Sequence, residues 1–281
     1  MTKYPPRRTR PCWSIAIPSS LISEAQSLRE KTAKIGLIGR AAAIFRVDKI
    51  YVYREGEKSL QNQDLIIKIL EYMECPQYLR KYLILRNKSL RYVGILPPLR
   101  TPHHPLKSER IMVRGREYRE GIIIKWDSKR GKAIVDIGLD YPLVCEFNSS
   151  HVMKRVTVDV SAKKIIKREE VPIYWGYKVV RADSLLDAIK KSKAGLVIGT
   201  SRHGVFITTI ISELKQKLNK ALDLLVLFGG PKRGIYEIFR EEGADPDRVC
   251  DYIVNFAPFQ GTKTIRTEEA VLIVLSILNI I

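Results

Sequence analysis

The sequence lacks several features that would assign it to a common class of protein. No apolar run reaches the ~18 residues with which a helix crosses a bilayer, and the longest, Ala270 to Ile281, is interrupted by Ser276 and Asn279. No signal-peptide apolar core follows the basic N-terminal segment. The four cysteines lie far apart without a C-x-x-C pair, which argues against a disulfide framework or structural zinc. We therefore expect a soluble cytoplasmic protein with no metal and no membrane partner.

The two commonest nucleotide-binding motifs are also missing. No G-x-x-x-x-G-K-[ST] loop occurs, and no G-x-G-x-x-G follows a predicted strand. Their absence disfavours a nucleotide-binding regulator. The adjacent His103 and His104 stand between prolines and read as a loop, so the histidines give no metal-binding spacing.

Acidic residues are scarce relative to basic ones. The 281 residues hold 49 Lys and Arg against 30 Asp and Glu, a formal net charge of +19. The net charge is +9 over residues 1–88, +7 over 89–170 and +3 over 171–281. An excess of this size indicates a polyanionic partner, with nucleic acid the first candidate and an anionic membrane surface the second. For any one cluster, a solvated surface face explains the charge equally well.

Changes in sequence pattern divide the chain into the same three segments. In residues 1–88, a strand is predicted over Trp13 to Pro18 and a helix over Leu21 to Lys34. Gly36 and Gly39 then interrupt the pattern before an Ala-rich stretch that would begin a second helix. A strand at Val47 to Tyr53 and a helix at Asp64 to Met73 follow.

The middle segment, residues 89–170, is predicted to be a small β structure. Four prolines between Gly94 and Pro105 indicate a loop. Four short β-type runs follow at near-regular spacing, at Tyr118–Trp126, Gly131–Ile137, Leu143–Phe147 and Val152–Val160. Such spacing favours a small barrel or sandwich. A basic barrel of this size fits an OB-like nucleic-acid module or a plain β insertion without a ligand.

The last segment, residues 171–281, is predicted to alternate strands with helices, so we expect an α/β layer. Ser184 or Asp183 would cap one helix, and Thr267 would cap the final one. Three glycine-bearing loops follow short buried strands, at Gly199–Gly204, Gly229–Gly234 and Asn255–Thr264. Ligands in α/β sheets bind at the carboxyl ends of strands, and glycine permits close approach of the backbone to a ligand. Each loop alone is weak evidence, but three together predict a binding site.

These loops resemble those of a known family. Gly229 to Gly234 and the run from Pro258 to Ala270 (PFQGTKTIRTEEA) are similar to the signature loops of the SPOUT (α/β-knot) methyltransferases. The branch they resemble is that of archaeal and eukaryotic RNA methyltransferases with an OB-like domain inserted in the N-terminal half. The stretch from Ile38 to Asp48 also looks like that branch. The resemblance covers nearly the whole chain.

The resemblance implies a trefoil-knotted α/β domain with an inserted OB-like β-barrel. Residues 1–88 and 171–281 would form its two halves, and residues 89–170 would bind RNA. The knot loops of the family bind S-adenosylmethionine, mostly through backbone groups. Carried over, the implied cofactor-binding residues are Thr200, Gly204, Phe228, Gly229, Gly230, Gly234, Gln260, Gly261, Thr262, Thr264 and Ile265.

The family also implies a homodimer whose active site uses both subunits. Arg40 would then approach the methyl group of the partner subunit's cofactor, and Arg266 and Glu268 would act beside the cofactor loop. Each has an ordinary alternative, a surface arginine for Arg40 and a carboxylate in the first turn of a helix for Glu268. The implied reaction is methyl transfer to structured RNA such as rRNA, first at uridine N3 and second at the ribose 2′-oxygen. A non-catalytic RNA-binding or ribosome-assembly protein with a vestigial knot remains the third interpretation.

Overall fold

The chain forms two compact units, each with its own sheet. The structure is a computed structural model that describes residues 4–8, 11–56, 58–85, 87–127, 129–147 and 152–281. One unit comprises Met1–Arg7, Tyr72–Asn87 and Pro98–Gly176, and the other Arg8–Glu71, Lys88–Pro97 and Tyr177–Ile281. Residues 72–87 therefore belong with the middle segment, although the sequence pattern groups them with residues 1–88.

The described residues contain the following regular elements. The strands are β1 (Cys12–Pro18), β2 (Lys49–Tyr53), β3 (Met112–Val113), β4 (Arg116–Asp127), β5 (Lys132–Asp136), β6 (Leu143–Glu146), β7 (Arg155–Asp159), β8 (Lys164–Ile166), β9 (Lys178–Ala182), β10 (Leu196–Phe206), β11 (Asp223–Leu227) and β12 (Tyr252–Asn255). The α-helices are α1 (Leu28–Ile44), α2 (Ser59–Glu74), α3 (Arg80–Leu83), α4 (Leu185–Ser192), α5 (Ile207–Lys220), α6 (Ile235–Glu241), α7 (Pro246–Val249) and α8 (Thr267–Ile280). Short 3-10 turns lie at Ser19–Ile22, Gln77–Leu79, Lys88–Leu90, Val93–Ile95 and Arg168–Glu170.

The larger unit is built on a parallel six-stranded sheet in the order β12-β10-β11-β1-β2-β9. Its central strands are short apolar runs, and β1 is buried from Trp13 to Pro18. Continuous burial of this kind is typical of parallel strands covered on both faces. Helices α4 and α6 pack over one set of strand residues, with Leu185, Ile238 and Phe239 in that cluster. The α/β layer predicted for this part of the chain is confirmed.

The smaller unit holds a second six-stranded sheet in the order β3-β4-β5-β6-β8-β7. Strand β4 pairs with β7 as well, so five of the strands close into a ring. Its interior is apolar, with Ile123, Val135 and Val158 completely buried. The four β runs predicted from the sequence form β4, β5, β6 and β7, whereas β3 and β8 are too short for a periodic pattern to indicate them.

A buried network of charged groups joins residues 72–87 to the small sheet. Glu74 accepts hydrogen bonds from Arg155 at 2.5 Å and from Arg168 at 2.7 Å, and its carboxylate lies 3.1 Å from His103. Glu120 accepts from Arg155 at 2.5 Å. Because buried charges are stable only when paired, this network accounts for the inclusion of 72–87 in the smaller unit.

Helix α1 differs from its prediction. It begins at Leu28, after the N-cap Ser27, whose hydroxyl accepts from the amide of Glu30. It then continues without a break through Gly36 and Gly39, both of which are buried. A Cβ at Gly36 would lie 2.5 Å from a methyl group of Leu96. The glycine therefore allows close packing and does not end the helix.

Two further expectations are corrected. Gly199–Gly204, predicted as a loop, lies within the extended strand β10. Thr267, predicted as an N-cap, is the first residue of α8, and the N-cap position is occupied by Arg266. The Thr267 hydroxyl instead donates to the carbonyl of Gly229 at 3.0 Å. Ser184 does cap α4, since its hydroxyl accepts from the amide of Asp187.

Candidate functional site

A cavity of about 400 Å³ opens in the larger unit at the carboxyl ends of β10, β11 and β12. Strand β10 lies between β12 and β11 in the sheet. Ligands of open α/β sheets bind at the carboxyl ends of the strands. Ligand pockets for small molecules have volumes of about 300–1,000 Å³. The residues that line it are Glu24, Thr200, Ser201, Arg202, His203, Phe228, Gly229, Gly230, Pro231, Lys232, Gly234, Tyr236, Glu237, Val254, Asn255, Phe256, Ala257, Gln260, Thr264, Ile265, Arg266, Thr267, Ala270, Ile273 and Val274.

The first wall of the cavity is a bulge in β10. Thr200 and Val205 both pair with Val254 of β12, so the residues between them leave the ladder. Of these, Ser201, Arg202 and His203 line the cavity. Bulges re-aim side chains in this way and are common beside active sites. The Thr200 hydroxyl donates to the carbonyl of Leu227 at 2.8 Å, which ties the bulge to the neighbouring strand.

The second wall follows β11 and depends on close backbone packing. A Cβ on Gly229 would lie 2.9 Å from the Cα of Gly234, and a Cβ on Gly230 would lie 2.4 Å from the Ser20 hydroxyl and 2.8 Å from a Glu55 carboxylate oxygen. None of Gly204, Gly229, Gly230, Gly234 and Gly261 has a positive φ. At Gly229 and Gly230 a side chain is therefore excluded by space, and left-handed backbone geometry is not the reason.

The third wall combines the loop after β12 with the first turns of α8. Asn255 is buried, its side-chain amide donates to the carbonyl of Arg202 at 2.9 Å, and its side-chain oxygen accepts from the amide of Ala257. This one side chain therefore holds the bulge and the third loop together. The side-chain amide of Gln260 donates to the carbonyl of Thr262 at 2.9 Å, which fixes the turn inside the loop.

The structure brings most of the predicted site residues together. Those that line the cavity are Thr200, Phe228, Gly229, Gly230, Gly234, Gln260, Thr264, Ile265 and Arg266. Those placed outside its lining are Gly204, Gly261, Thr262, Arg40 and Glu268.

The surroundings of three of these outside residues differ. A Cβ on Gly204 would lie 2.5 Å from the backbone oxygen of Ile253, so this glycine serves the contact between β10 and β12. Gly261 is exposed, and no atom lies within 4 Å of a Cβ built there. Glu268 is buried, and its carboxylate lies 3.4 Å from the ammonium of Lys34, so it joins α8 to α1.

Sequence reasoning missed several lining residues. For His203 the sequence leaves an acid–base role and a merely solvated loop position equally open, and the bulge that turns it and Arg202 into the cavity leaves no periodic signal. Asn255 stands at the carboxyl end of a predicted strand, and that position is the one signal that could have identified it. Ala270, Ile273 and Val274 show helical spacing on α8, which ordinary core packing also produces.

Two other kinds of site are absent from the residues that the structure describes. Among residues 4–8, 11–56, 58–85, 87–127, 129–147 and 152–281, no group of three His, Cys, Asp or Glu side chains is placed to hold a metal ion. Within the same ranges, no helix is long and apolar enough to cross a membrane.

Three curated relatives cover nearly all of this chain. The 28S rRNA (uridine-N(3))-methyltransferase of Drosophila melanogaster is 33% identical over 95% of this chain and 61% of its own length. The chain thus spans about three fifths of that relative. The human protein of the same name is also 33% identical, over 95% of this chain and 77% of its own. An uncharacterized protein of Haloarcula marismortui is 31% identical over 95% of this chain and 98% of its own.

One solved structure shows a weak likeness. It is the SpoU methyltransferase AviRb from Streptomyces viridochromogenes in complex with AdoMet, with a TM-score of 0.40 and 12% identity over 98% of this chain and 58% of that one. A likeness of that size does not establish a shared fold. The family model described as "Putative RNA methyltransferase", in contrast, matches residues 12–278. The resemblance found in the sequence is therefore confirmed at the level of the family, and the chain belongs to the "Putative RNA methyltransferase" family.

Proposed function

We propose that this protein transfers a methyl group from S-adenosylmethionine to N3 of a uridine in large-subunit rRNA. The observation that carries the proposal is the cavity that three loops form at the carboxyl ends of β10, β11 and β12. Membership of the RNA methyltransferase family supports the reaction class. The names of the fly and human relatives support the uridine N3 position.

The cavity lining fits S-adenosylmethionine. The two closely packed turns at Gly229–Gly230 and Gly234 keep side chains away from one wall, so backbone groups there are accessible to a ligand. Thr200, Gln260 and Thr264 add polar groups, and Phe228 and Ile265 add apolar surface. When bound, the cofactor would supply an activated methyl group on a sulfonium. The part of the protein is then to hold the acceptor in line with that methyl group and to exclude other nucleophiles.

The three predicted catalytic residues divide by position. Arg266 lines the cavity, where its guanidinium can bind a phosphate or carboxylate. Glu268 pairs with Lys34 and would act by positioning α8 against α1. Arg40, on α1, would serve the cavity of a partner subunit.

We propose a knot in the larger unit. Strand β12 lies at the edge of the sheet, next to β10. The loop after β12 leads to α8, whose first residue, Thr267, donates a hydrogen bond to the carbonyl of Gly229 in the segment after β11. Helix α8 also packs against α1 from the other end of the chain. This return path past β10 supports passage of the C-terminal segment through the loop between β10 and β11.

We also propose that the smaller unit is an OB-like RNA-binding barrel. A ring of five strands, β4-β5-β6-β8-β7, supports that assignment, because closed five-stranded Greek-key barrels are the OB architecture. The segment that contains it has a net charge of +7. RNA binding through phosphates predicts an affinity that falls steeply as salt rises.

An exposed apolar face supports the proposal of a homodimer. The paired helices α1 and α8 expose Leu37, Ile44, Leu272 and Ile280, each by 48% or more of its side chain. Contiguous exposed apolar surface marks an interaction site. A second copy is the proposed occupant, because a two-fold interface uses the same patch on both subunits and because the family resemblance implies a dimer.

The test is titration of the full chain with S-adenosylmethionine by calorimetry, followed by incubation with labelled cofactor and rRNA. We expect saturable binding and label in the large-subunit rRNA. Binding without transfer would indicate a non-catalytic RNA-binding protein and contradict the proposal. Label on a ribose 2′-oxygen would contradict the assignment of the acceptor atom.

A further inference from the structure

The cavity contains a polar pair that the sequence analysis left without a role. The Arg202 side chain donates from Nε to Nε2 of His203 at 3.0 Å and from Nη1 to the carbonyl of Lys263 at 3.1 Å. The backbone around the pair is also fixed, because the Arg202 carbonyl accepts from Asn255 and the His203 amide donates to the Ser201 hydroxyl. The bulge of β10 thus presents two exposed but anchored side chains to the cavity.

This arrangement defines the tautomer of His203. A guanidinium can only donate hydrogen bonds, so Nε2 of His203 must accept. The neutral ring then carries its proton on Nδ1 and offers it as a donor. Arg202 has five N–H groups and spends two of them on His203 and Lys263. The pair therefore offers several donors and lacks a free strong base.

A pair of hydrogen-bond donors suits methylation at uridine N3 better than methylation at a ribose 2′-oxygen. Uridine N3 is an imide nitrogen between two carbonyl groups, and when it loses its proton the negative charge spreads onto O2 and O4. Donors placed on those oxygens stabilise the anion and leave the N3 lone pair available. When a ribose 2′-hydroxyl loses its proton, the negative charge stays on the oxygen that must attack. Donors beside that oxygen would hydrogen-bond to its lone pairs and make it a weaker nucleophile.

We propose that Arg202 and His203 donate to the carbonyl oxygens of the target uridine and stabilise its N3 anion; the inference rests on the proposed function. The N3 proton passes to water. The N3 lone pair then forms a bond to the methyl carbon, the carbon–sulfur bond breaks, and its electron pair remains on sulfur, which becomes a neutral thioether. The other charged groups that line the cavity are Glu24, Lys232, Glu237 and Arg266.

The test compares Arg202→Met and His203→Ala with the unaltered protein in single-turnover methyl transfer, at saturating cofactor and rRNA, from pH 6 to 10. Loss of one donor to a developing anion costs about 100-fold or more in rate. We expect a loss of that order at pH 7 that shrinks as pH rises, because hydroxide then supplies the anion. Transcripts containing 5-fluorouridine have a more acidic imide. They should therefore increase the methyl-transfer rate of the variants by a larger factor than that of the unaltered protein.

A matched control removes a positive charge elsewhere in the same unit. Arg248 on α7 has an 87% exposed side chain and lies outside the cavity lining, so Arg248→Met should leave the pH profile unchanged. An equal loss at every pH without rescue by 5-fluorouridine, or no loss at all, would overturn the role of the pair. Failure of the unaltered protein to methylate N3 would instead overturn the proposed function.

Discussion

Gly230 illustrates how one residue serves both the fold and the cavity. Its Cα faces the Ser20 hydroxyl and a carboxylate oxygen of Glu55, both buried, and its amide donates to the carbonyl of Arg233 at 2.8 Å. The side chain of Arg233 forms an ion pair with the same Glu55. A buried acid, its counter-charge and the backbone of the turn after β11 are therefore packed around a position that has no room for a methyl group.

We predict that Gly230→Ala destabilises the protein, because an added Cβ would lie within 2.8 Å of two polar atoms. Overpacking of this kind costs about 1–3 kcal/mol. The matched change Gly261→Ala, in a neighbouring loop where no atom lies within 4 Å, should leave the free energy of unfolding nearly unchanged. Urea denaturation of both variants measures the difference, and equal stabilities would contradict the steric account.

At the scale of elements, the smaller unit contains a buried network of charged groups centred on one carboxylate. Glu74 ends α2 and is the shared partner of Arg155, Arg168 and His103. Burial opposes ionisation of Glu74, but the two arginines outweigh it and hold its pKa well below the usual value. Burial also lowers the pKa of His103, and lowers that of His104 further. All three groups therefore release protons more readily in the folded state.

We predict that the smaller unit loses stability as pH falls. The unfolded chain binds protons on His103 and His104 first, below the ordinary histidine pKa of 6.5, and on Glu74 below 4.5. Since the unfolded state then holds more protons, the free energy of unfolding falls over both ranges. Fluorescence-detected urea unfolding between pH 7 and pH 4 measures it, because Trp175 donates to Glu120 inside the network.

Two matched variants separate the network from general acid effects. Glu74→Gln removes the carboxylate that pairs with Arg155 and Arg168. Breaking a buried ion pair in this way lowers the free energy of unfolding by about 3–5 kcal/mol at neutral pH. The variant should also show a smaller further decrease of that free energy below pH 4.5, because it lacks the carboxyl group that binds the proton. Glu146→Gln, at an exposed site on β6, should behave like the unaltered protein. Stability that is independent of pH between 7 and 4 would contradict this account.

The elements also show what the sequence can predict. Strands β4 to β7 and β10 to β12 were indicated by short β-branched or apolar runs, and the α/β layer followed from the alternation of strands with helices. The unbroken helix through Gly36 was missed because the methyl group that makes a glycine necessary there belongs to Leu96, sixty residues away. The bulge in β10 was missed because it depends on the register with β12. Both errors are tertiary effects that local patterns cannot contain.

At the scale of the whole molecule, the exposed apolar face on α1 and α8 is the feature that a monomer explains least well. Ile280 is 80% exposed and Leu37 56% exposed, on helices that already pack against each other. The charge of +19, the cavity in the larger unit and this face together fit the proposed dimer, which would hold RNA near two such cavities. In the proposed dimer, Arg40 of each subunit would serve the cavity of the other.

We predict that Leu272→Glu converts the proposed dimer into a monomer, because it places a charge on the apolar face. The matched control is Leu222→Glu, at a residue that is 56% exposed, against 48% for Leu272, but lies between α5 and β11. Sedimentation velocity measures the molecular mass of each variant. A monomeric unaltered protein, or a dimer that survives Leu272→Glu, would contradict the assignment of this face.

The most direct test of the central claim identifies the methylated nucleoside. The unaltered protein is incubated with S-adenosylmethionine and unmodified large-subunit rRNA, and the RNA is digested to nucleosides and analysed by mass spectrometry. The account predicts N3-methyluridine that appears only when protein and cofactor are both present. A methylated ribose, another methylated base or no methylated nucleoside would contradict it.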